Sequence, residues 1–263
     1  MLVIGELING MFKNVRKAIK EKDKSIIQEI ARKQVAAGAQ MLDVNVGPAA
    51  ADEVAAMQWL VESIQEAVNV PLSIDSAKPP VIEAGLKSCQ RKALINSTTG
   101  EQAKLDALIG LAKKYGAALL GLCMDEKGIP NSVAARTEIG MKILAAAMEA
   151  GLPTDDVHLD PVVLPVKFGQ DQIGSMLQTI KELKILSDPA PKIVVGLSNV
   201  SQGCLNRPLV NRIALVMGIA NGLDEAILDP LDTQLMDAMI TADLLLNKFI
   251  YCDSYLDAYR KAL

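Results

Sequence analysis

Strand-like and helix-like segments alternate eight times along this chain, at intervals of about 30 residues and without a gap. That regularity restricts the fold more than any single motif does. An unbroken β–α alternation builds a parallel sheet, either doubly wound or closed on itself. Eight such units in 263 residues match the closed (β/α)8 barrel in count and size. A doubly wound sheet would need a glycine-rich turn after the first strand, and neither GxGxxG nor GxxxxGK[ST] is present. No linker, low-complexity run or charge block divides the chain. Residues 1–263 are therefore expected to form one α/β domain, a single TIM barrel.

Strands are predicted at Leu2–Gly5, Met41–Val46, Pro71–Ser76, Ala93–Ser97, Ala118–Met124, Val157–Leu164, Lys192–Leu197 and Ala226–Asp229. The intervening helices are placed at about 25–37, 51–68, 80–89, 98–115, 132–150, 171–186, 208–221 and 233–247. A last helix covers 249–263. Ser25 with Gln28 and Thr98 with Glu101 have the spacing of capping boxes. Gly38, Gly116 and Gly151 stand where helices should stop. Val54, Met57, Leu60, Val61 and Ile64 share one face of the second helix. Trp59 and the methionines Met141, Met148, Met217, Met236 and Met239 are expected in the core.

In such a barrel the chemistry sits at the C-terminal ends of the strands. Those ends carry Glu6 and Asn9, Asp43 and Asn45, Asp75 and Ser76, and Asn96 and Ser97. They continue with Asp125, Asp160, Ser198, Asn199, Gln202 and Arg207, and finally Asp229 and Asp232. The seventh strand is the clearest case: its apolar run ends abruptly in Gly196, Ser198, Asn199, Ser201 and Gln202. One such residue is an ordinary helix cap, but a full ring of carboxylates and amides is harder to explain that way. The ring is rich in acceptors and poor in cations, which suits a neutral, donor-rich planar heterocycle better than a phosphate ester. The turn Asp229-Pro-Leu-Asp232 would repel a phosphate.

The net charge of −4, the absence of a basic stripe and 3% aromatic residues argue against nucleic acid and anionic membrane surfaces as partners. The four cysteines are far apart and there is one histidine, so no zinc or iron–sulfur site held by this chain is expected, nor any tightly bound metal. The thiols read as free and buried, in a reducing compartment. The N-terminal residues already read as a strand, and no apolar run approaches a membrane span. A soluble, cytoplasmic protein is expected.

Leu72-Ser-Ile-Asp-Ser76, Leu94-Ile-Asn-Ser97, Leu159-Asp-Pro161 and Gly196-Leu-Ser198 resemble the pterin-binding barrel superfamily, which includes dihydropteroate synthase and the folate domain of cobalamin-dependent methionine synthase. Leu42-Asp-Val-Asn-Val-Gly-Pro48, Gly196-Leu-Ser-Asn-Val-Ser-Gln202, Asn206-Arg-Pro208 and Tyr251-Cys-Asp-Ser254 resemble a narrower family: the 5-methyltetrahydrofolate:corrinoid/iron–sulfur protein methyltransferases of the acetyl-CoA pathway. The order and spacing of these motifs carry the resemblance along essentially the whole chain.

The resemblance implies transfer of the N5-methyl group of methyltetrahydrofolate to the Co(I) corrinoid of a corrinoid/iron–sulfur protein partner. It implies a homodimer as well. Asp75, Asn96 and Asp160 would hold the pterin ring, with Asn199 near N5 and Gln202 and Arg207 close by. Glu6, Asn9 and Asp43 would complete the floor and outer shell, and Gly196 and Ser198 would line the site. Asn199 and Asp160 would serve catalysis. Leu7 departs from the family, which usually has a basic residue after the strand-one glutamate.

Two alternatives remain. A dihydropteroate synthase must neutralise a departing diphosphate, which that family does with a lysine after strand seven and an Arg–His pair after strand eight. Asn199 and Asp229-Pro-Leu-Asp232 stand there instead. The other is a non-catalytic subunit that handles a pterin or corrinoid. Among single residues, His158 is expected to be a hydrogen-bonded core histidine facing the same side as Asp160, and Cys204 a spectator thiol. Asp229 is open between a turn residue and a ligand-facing one.

Overall fold

A computed structural model describes residues 1–48 and 50–260. Eight parallel strands close into a barrel in sequence order: β1 (Leu2–Asn9), β2 (Met41–Asn45), β3 (Leu72–Asp75), β4 (Leu94–Thr98), β5 (Ala118–Leu122), β6 (Val157–Asp160), β7 (Lys192–Gly196) and β8 (Glu225–Leu228). Around them run α1 (Lys13–Glu21), α2 (Lys24–Ala36), α3 (Glu53–Gln65), α4 (Pro79–Ser88), α5 (Gln102–Tyr115) and α6 (Val133–Glu149). The ring continues with the single turn α7 (Val166–Gly169), then α8 (Gln172–Leu183), α9 (Arg207–Ala220), α10 (Thr233–Leu245) and α11 (Tyr255–Arg260).

Side chains alternate between the helix layer and the barrel interior, as the period of a strand requires. Outward-facing Val3, Leu42, Ile74, Ile95, Leu119, Leu159, Ile193 and Ala226 join the helices in one large apolar core. Inward-facing Ile4, Leu94, Ala118, Leu120 and Val194 form a second, small cluster inside the barrel, flanked by Leu2, Met41, Leu122 and Ile227. Beside this plug, near the starts of β6 and β8, His158 Nδ1 lies 2.8 Å from Glu225 Oε2, both buried. The expectation of a hydrogen-bonded core histidine is met, and its partner comes from β8. Above the plug the inward positions become polar.

Two irregularities shape the upper rim. The β1–β2 register shifts between Gly5 and Ile8, so β1 bulges at Glu6 and Leu7. A bulge re-aims the side chains it carries. The Leu7 N–H freed by it donates to Gln34 Oε1 of α2 at 3.0 Å. Gly5 permits this approach, because a Cβ there would lie 2.4 Å from the same oxygen. The β1–α1 loop also touches the β2–α3 loop: Gly10 N donates to Asn45 O at 2.8 Å, and a Cβ on Gly10 would lie 2.1 Å from Val46 O.

Several local expectations are corrected. α1 was not anticipated; it forms because Val15, Ala18 and Ile19 recur at helical spacing and bury together. α2 is capped by Asp23, which accepts from both the backbone N–H and the hydroxyl of Ser25, so Ser25 is no cap. α5 starts at Gln102 with Glu101 at its N-cap and no side-chain cap bond. Met236 and Met239 are core, but Met141, Met148 and Met217 are exposed, as is Val54. Of the four free thiols only Cys123 is buried; Cys89 and Cys204 are half-buried and Cys252 is exposed. The final helix spans Tyr255–Arg260, and residues 261–263 of the expected 249–263 lie outside the described residues. Among the described residues no helix is long and apolar enough to cross a membrane.

Candidate active site

The polar strand ends enclose a cavity of about 590 Å³ at the C-terminal mouth, large enough for a fused bicyclic ring and part of a tail. Of the predicted residues, Glu6, Asn9, Asp43, Asp75, Asn96, Asp160, Gly196, Ser198, Asn199 and Arg207 all line it. Gln202 does not: it is exposed in the loop beyond the seventh strand, where Ser201 turns inward instead. Asp125 and Ser76, two other strand-end polar residues, are also outside. Asp125 accepts from Lys127 N in a tight turn, and Ser76 Oγ accepts from Lys78 N ahead of α4. Asp229 and Asp232 do line the cavity, although each also works locally. Asp229 accepts from Leu231 N, and Asp232 caps α10.

The floor is a hydrogen-bonded set. Asp43 Oδ1 accepts from Ser73 Oγ at 2.6 Å and from Asn96 Nδ2 at 3.0 Å. Asn96 is thereby turned so that its carbonyl oxygen is left for a ligand. Asp75 accepts from Asn45 Nδ2 at 2.7 Å, and the Asn45 carbonyl accepts from Gly47 N. At the end of β6, Asp160 Oδ1 accepts from Val162 N at 2.7 Å. Glu6 accepts from Ser198 Oγ at 2.6 Å. The guanidinium of Arg207 holds the same loop, donating from Nη2 to Ser198 O and from Nε to Ser201 Oγ. It also draws the Glu6 carboxyl down, which supplies from strand seven some of the cationic influence that Leu7 cannot give. The Asn199 amide makes no hydrogen bond among the described residues, and it faces the cavity.

Crowding four acids into one dry mouth raises their pKa values. Burial is the first cause for Asp43, Asp75, Asp160 and Glu6. Asp43 is raised further by the Asp75 charge, against the pull of Ser73 and Asn96. Asp160 is pushed up to about 7 by burial, against the backbone N–H groups of Val162 and Gly196 and the Arg136 charge. A carboxyl whose folded pKa is raised keeps its stabilising contribution below its unfolded pKa and loses it as pH rises through the folded value. The empty site is therefore expected to destabilise the fold progressively from about pH 4 upward. Asp43→Asn keeps both acceptor contacts and removes one buried charge. Its melting temperature should exceed that of wild type at pH 8, by a few degrees if about 1 kcal/mol is recovered, and the gap should close toward pH 4. A gap that is equal at both pH values, or of opposite sign, would show that Asp43 carries no such penalty.

Ser97, an expected strand-end residue, lines the cavity too, whereas Phe12, Leu122, Pro208, Asn211, Ile227 and Leu235 line it and were not foreseen. Strand alternation could have found Leu122 and Ile227, which lie two residues beyond inward-facing Leu120 and Glu225. Asn211 lies one turn beyond Arg207 on α9. Its Oδ1 is buried without a partner among the described residues, which leaves an acceptor for a ligand. Arg207 is the one cation among the lining residues described. Among the described residues no three His, Cys, Asp or Glu side chains are grouped to hold a metal ion.

Residues 13–229 match a protein family described as pterin binding enzyme. The chain is 33% identical over 265 residues to the methylcorrinoid:tetrahydrofolate methyltransferase of Eubacterium limosum, covering 99% of this chain and 97% of that protein. It is 29% identical over 241 residues to methionine synthase of Mycobacterium tuberculosis, covering 86% of this chain but only 20% of that much longer protein. Among solved structures, dihydropteroate synthase of Yersinia pestis in complex with a pterine–sulfa conjugate superposes with a TM-score of 0.68 at 19% identity, over 94% of each chain. A dihydropteroate synthetase with product superposes with a TM-score of 0.71 at 18% identity, again over 94% of each. At those identities the superpositions speak to the barrel fold alone.

Proposed function

The chain belongs to the pterin-binding enzyme family, and from that premise we propose that it transfers a methyl group between N5 of tetrahydrofolate and the corrinoid of a partner protein. The observation that carries this reading is the division of the cavity wall. Asp75, Asp160 and the Asn96 carbonyl form an acceptor wall for the 2-amino group and ring N–H donors of a pterin. Next to Asp160, on the loop after β7, stands Asn199, an amide with no partner among the described residues. A departing amine needs a hydrogen bond or a proton as its C–N bond breaks, and a free amide at the mouth can supply the former.

The chain's residues then have separable tasks. Asp75, Asn96 and Asp160 bind and orient the ring. Asn199 donates toward N5, with water and Asp160 behind it, so that activation is electrostatic rather than the work of a single general acid. Glu6, Ser198 and Arg207 brace the loop that carries Asn199. The cobalt of the corrinoid supplies the nucleophile, or the methyl group when the transfer runs the other way. The Eubacterium limosum relative is named for transfer from a methylcorrinoid to tetrahydrofolate, and one site serves both directions. A corrinoid/iron–sulfur protein in the acetyl-CoA pathway is the partner and setting that the sequence resemblance implies.

Docking of a large partner at the mouth is supported by exposed apolar side chains on four loops around it: Met11 and Phe12, Phe168, Leu205 and Leu231. The absence of any lining cation on the eighth-strand turn argues against diphosphate departure, and hence against dihydropteroate synthesis. The decisive experiment mixes the protein and methyltetrahydrofolate with a reduced corrinoid protein in a stopped-flow spectrometer. Conversion of the Co(I) spectrum to that of methylcobalt at a rate dependent on this chain is expected. Bound folate with no change at cobalt would overturn the reading in favour of a catalytically silent subunit.

A further inference from the structure

We propose that Arg136, a side chain of α6 outside the cavity, is a positioning residue that fixes the aim of the Asp160 carboxylate. The proposal rests on the pterin-binding role given to Asp160 above.

The first observation is backbone strain. Immediately beyond Asp160 and Pro161, Val162 has φ +63°. A β-branched residue is rarely found in that left-handed region, and it needs outside support to stay there. The conformation matters to the site because it folds the Val162 N–H back onto Asp160 Oδ1, leaving the other carboxylate oxygen to face the cavity.

Arg136 provides the support. Its side chain is fully buried. Nη1 donates to both Pro161 O and Val162 O at 3.2 Å, Nε donates to Pro130 O at 2.7 Å, and Nη2 donates to Gln172 Oε1 at 3.1 Å. The planar fork thus ties the strained turn to the β5–α6 loop and to the start of α8, a geometry that lysine cannot reproduce. Every one of these acceptors is neutral. Among the described residues Arg136 has no carboxylate within salt-bridge distance, so a full charge is buried where a methionine or leucine would fill the space at less cost.

The charge has a use at longer range. The groups that face Asp160 are mostly acids: Glu6, Asp43, Asp75 and Asp229 across the cavity, with Arg207 at the rim. His158 below is occupied by Glu225, and the adjacent Cys123 thiol is kept neutral by burial. Burial nonetheless raises the Asp160 pKa; the backbone N–H groups of Val162 and Gly196 oppose that rise, and the Arg136 charge adds to them.

The test separates the charge from the fork. Arg136→Gln keeps donors for the carbonyls and loses the charge; Arg136→Lys keeps the charge and loses the fork. The readout is the carboxyl ¹³C titration of Asp160 in folate-free protein, assigned by its disappearance in Asp160→Asn. Tetrahydrofolate affinity is followed in parallel by calorimetry from pH 5.5 to 8.5. Arg136→Gln should raise the Asp160 midpoint, and the pH at which affinity falls should move up with it. Arg136→Lys should leave the midpoint in place but weaken binding about tenfold at every pH. Adding Val162→Gly to Arg136→Lys should restore most of that affinity, because glycine adopts the turn unaided.

An unshifted midpoint in Arg136→Gln removes the charge from the argument. No recovery in the double variant overturns the proposal, and that comparison stands even if Arg136→Gln does not fold. Failure of the pterin reading looks different: Asp160→Asn would bind tetrahydrofolate as wild type does, while the carboxyl titration would still report on Arg136.

Discussion

Asn199→Ala is expected to slow methyl transfer at saturating folate by about 10²–10³-fold while changing folate affinity only a few-fold. The asymmetry follows from where Asn199 stands. Its amide has no partner among the described residues and lies on the loop after β7, facing the cavity. The loop is braced independently of it, by Ser198 on Glu6 and by Arg207 on Ser198 and Ser201. Truncation should therefore remove a donor without collapsing its surroundings. Only the part of a hydrogen bond that strengthens as charge develops at N5 raises the rate. A neutral amide bonded to a neutral amine contributes little to ground-state binding, and more once the amine departs with its electron pair. Single-turnover transfer to a Co(I) corrinoid protein measures this directly. A saturated rate within about threefold of wild type would remove Asn199 from the chemistry, and a water or another strand-end residue would have to polarise N5.

Asp160→Ala should show the opposite pattern, with folate affinity about 10- to 100-fold weaker and the saturated rate less affected. A hydrogen bond to a charged group contributes roughly 1.5–3 kcal/mol. The pH dependence gives a second signature. Only the ionised carboxylate accepts from two ring donors, and burial pushes Asp160 up to about 7. Wild-type affinity should thus rise with pH through 7 and fall below it, and Asp160→Ala should lack this step. A contact on the ring itself predicts equal loss for a bare pterin and for whole folate. Unchanged affinity by titration calorimetry would show that Asp160 does not touch the ring.

The barrel was readable because each inner strand is a short apolar run cut off by glycine, asparagine or aspartate, and each helix is long enough to show a buried stripe. The site was readable for a related reason: Asp43, Asp75, Asn96 and Asp160 lie at inward positions near or at the ends of such runs. What the sequence hid were features set by contacts between elements. Gln34 serves a bulge on β1, and no pattern within α2 separates it from a surface glutamine. Asp125 has the look of a strand-end ligand, but β5 stops at Leu122 and the chain turns away before reaching it. Ser25 lost the cap to Asp23 because the nearer carboxylate accepts from both groups of the serine. Arg136 did leave a trace, since it sits in the same stripe as Gly140, Ile143, Leu144 and Ala147. A cation on an apolar stripe is a flag that helical periodicity can raise.

The apolar plug of Ile4, Leu94, Ala118, Leu120 and Val194 has a consequence for proton traffic. Its side chains neither donate nor accept, and His158, which pairs in register with Leu120 of the plug, is held by Glu225. The one imidazole in the chain is therefore engaged away from the cavity lining. If the proposed transfer takes place in this cavity, a partner seated on its mouth would restrict proton exchange with bulk solvent, and the protonation state at docking, rather than during transfer, would set the pH dependence of turnover.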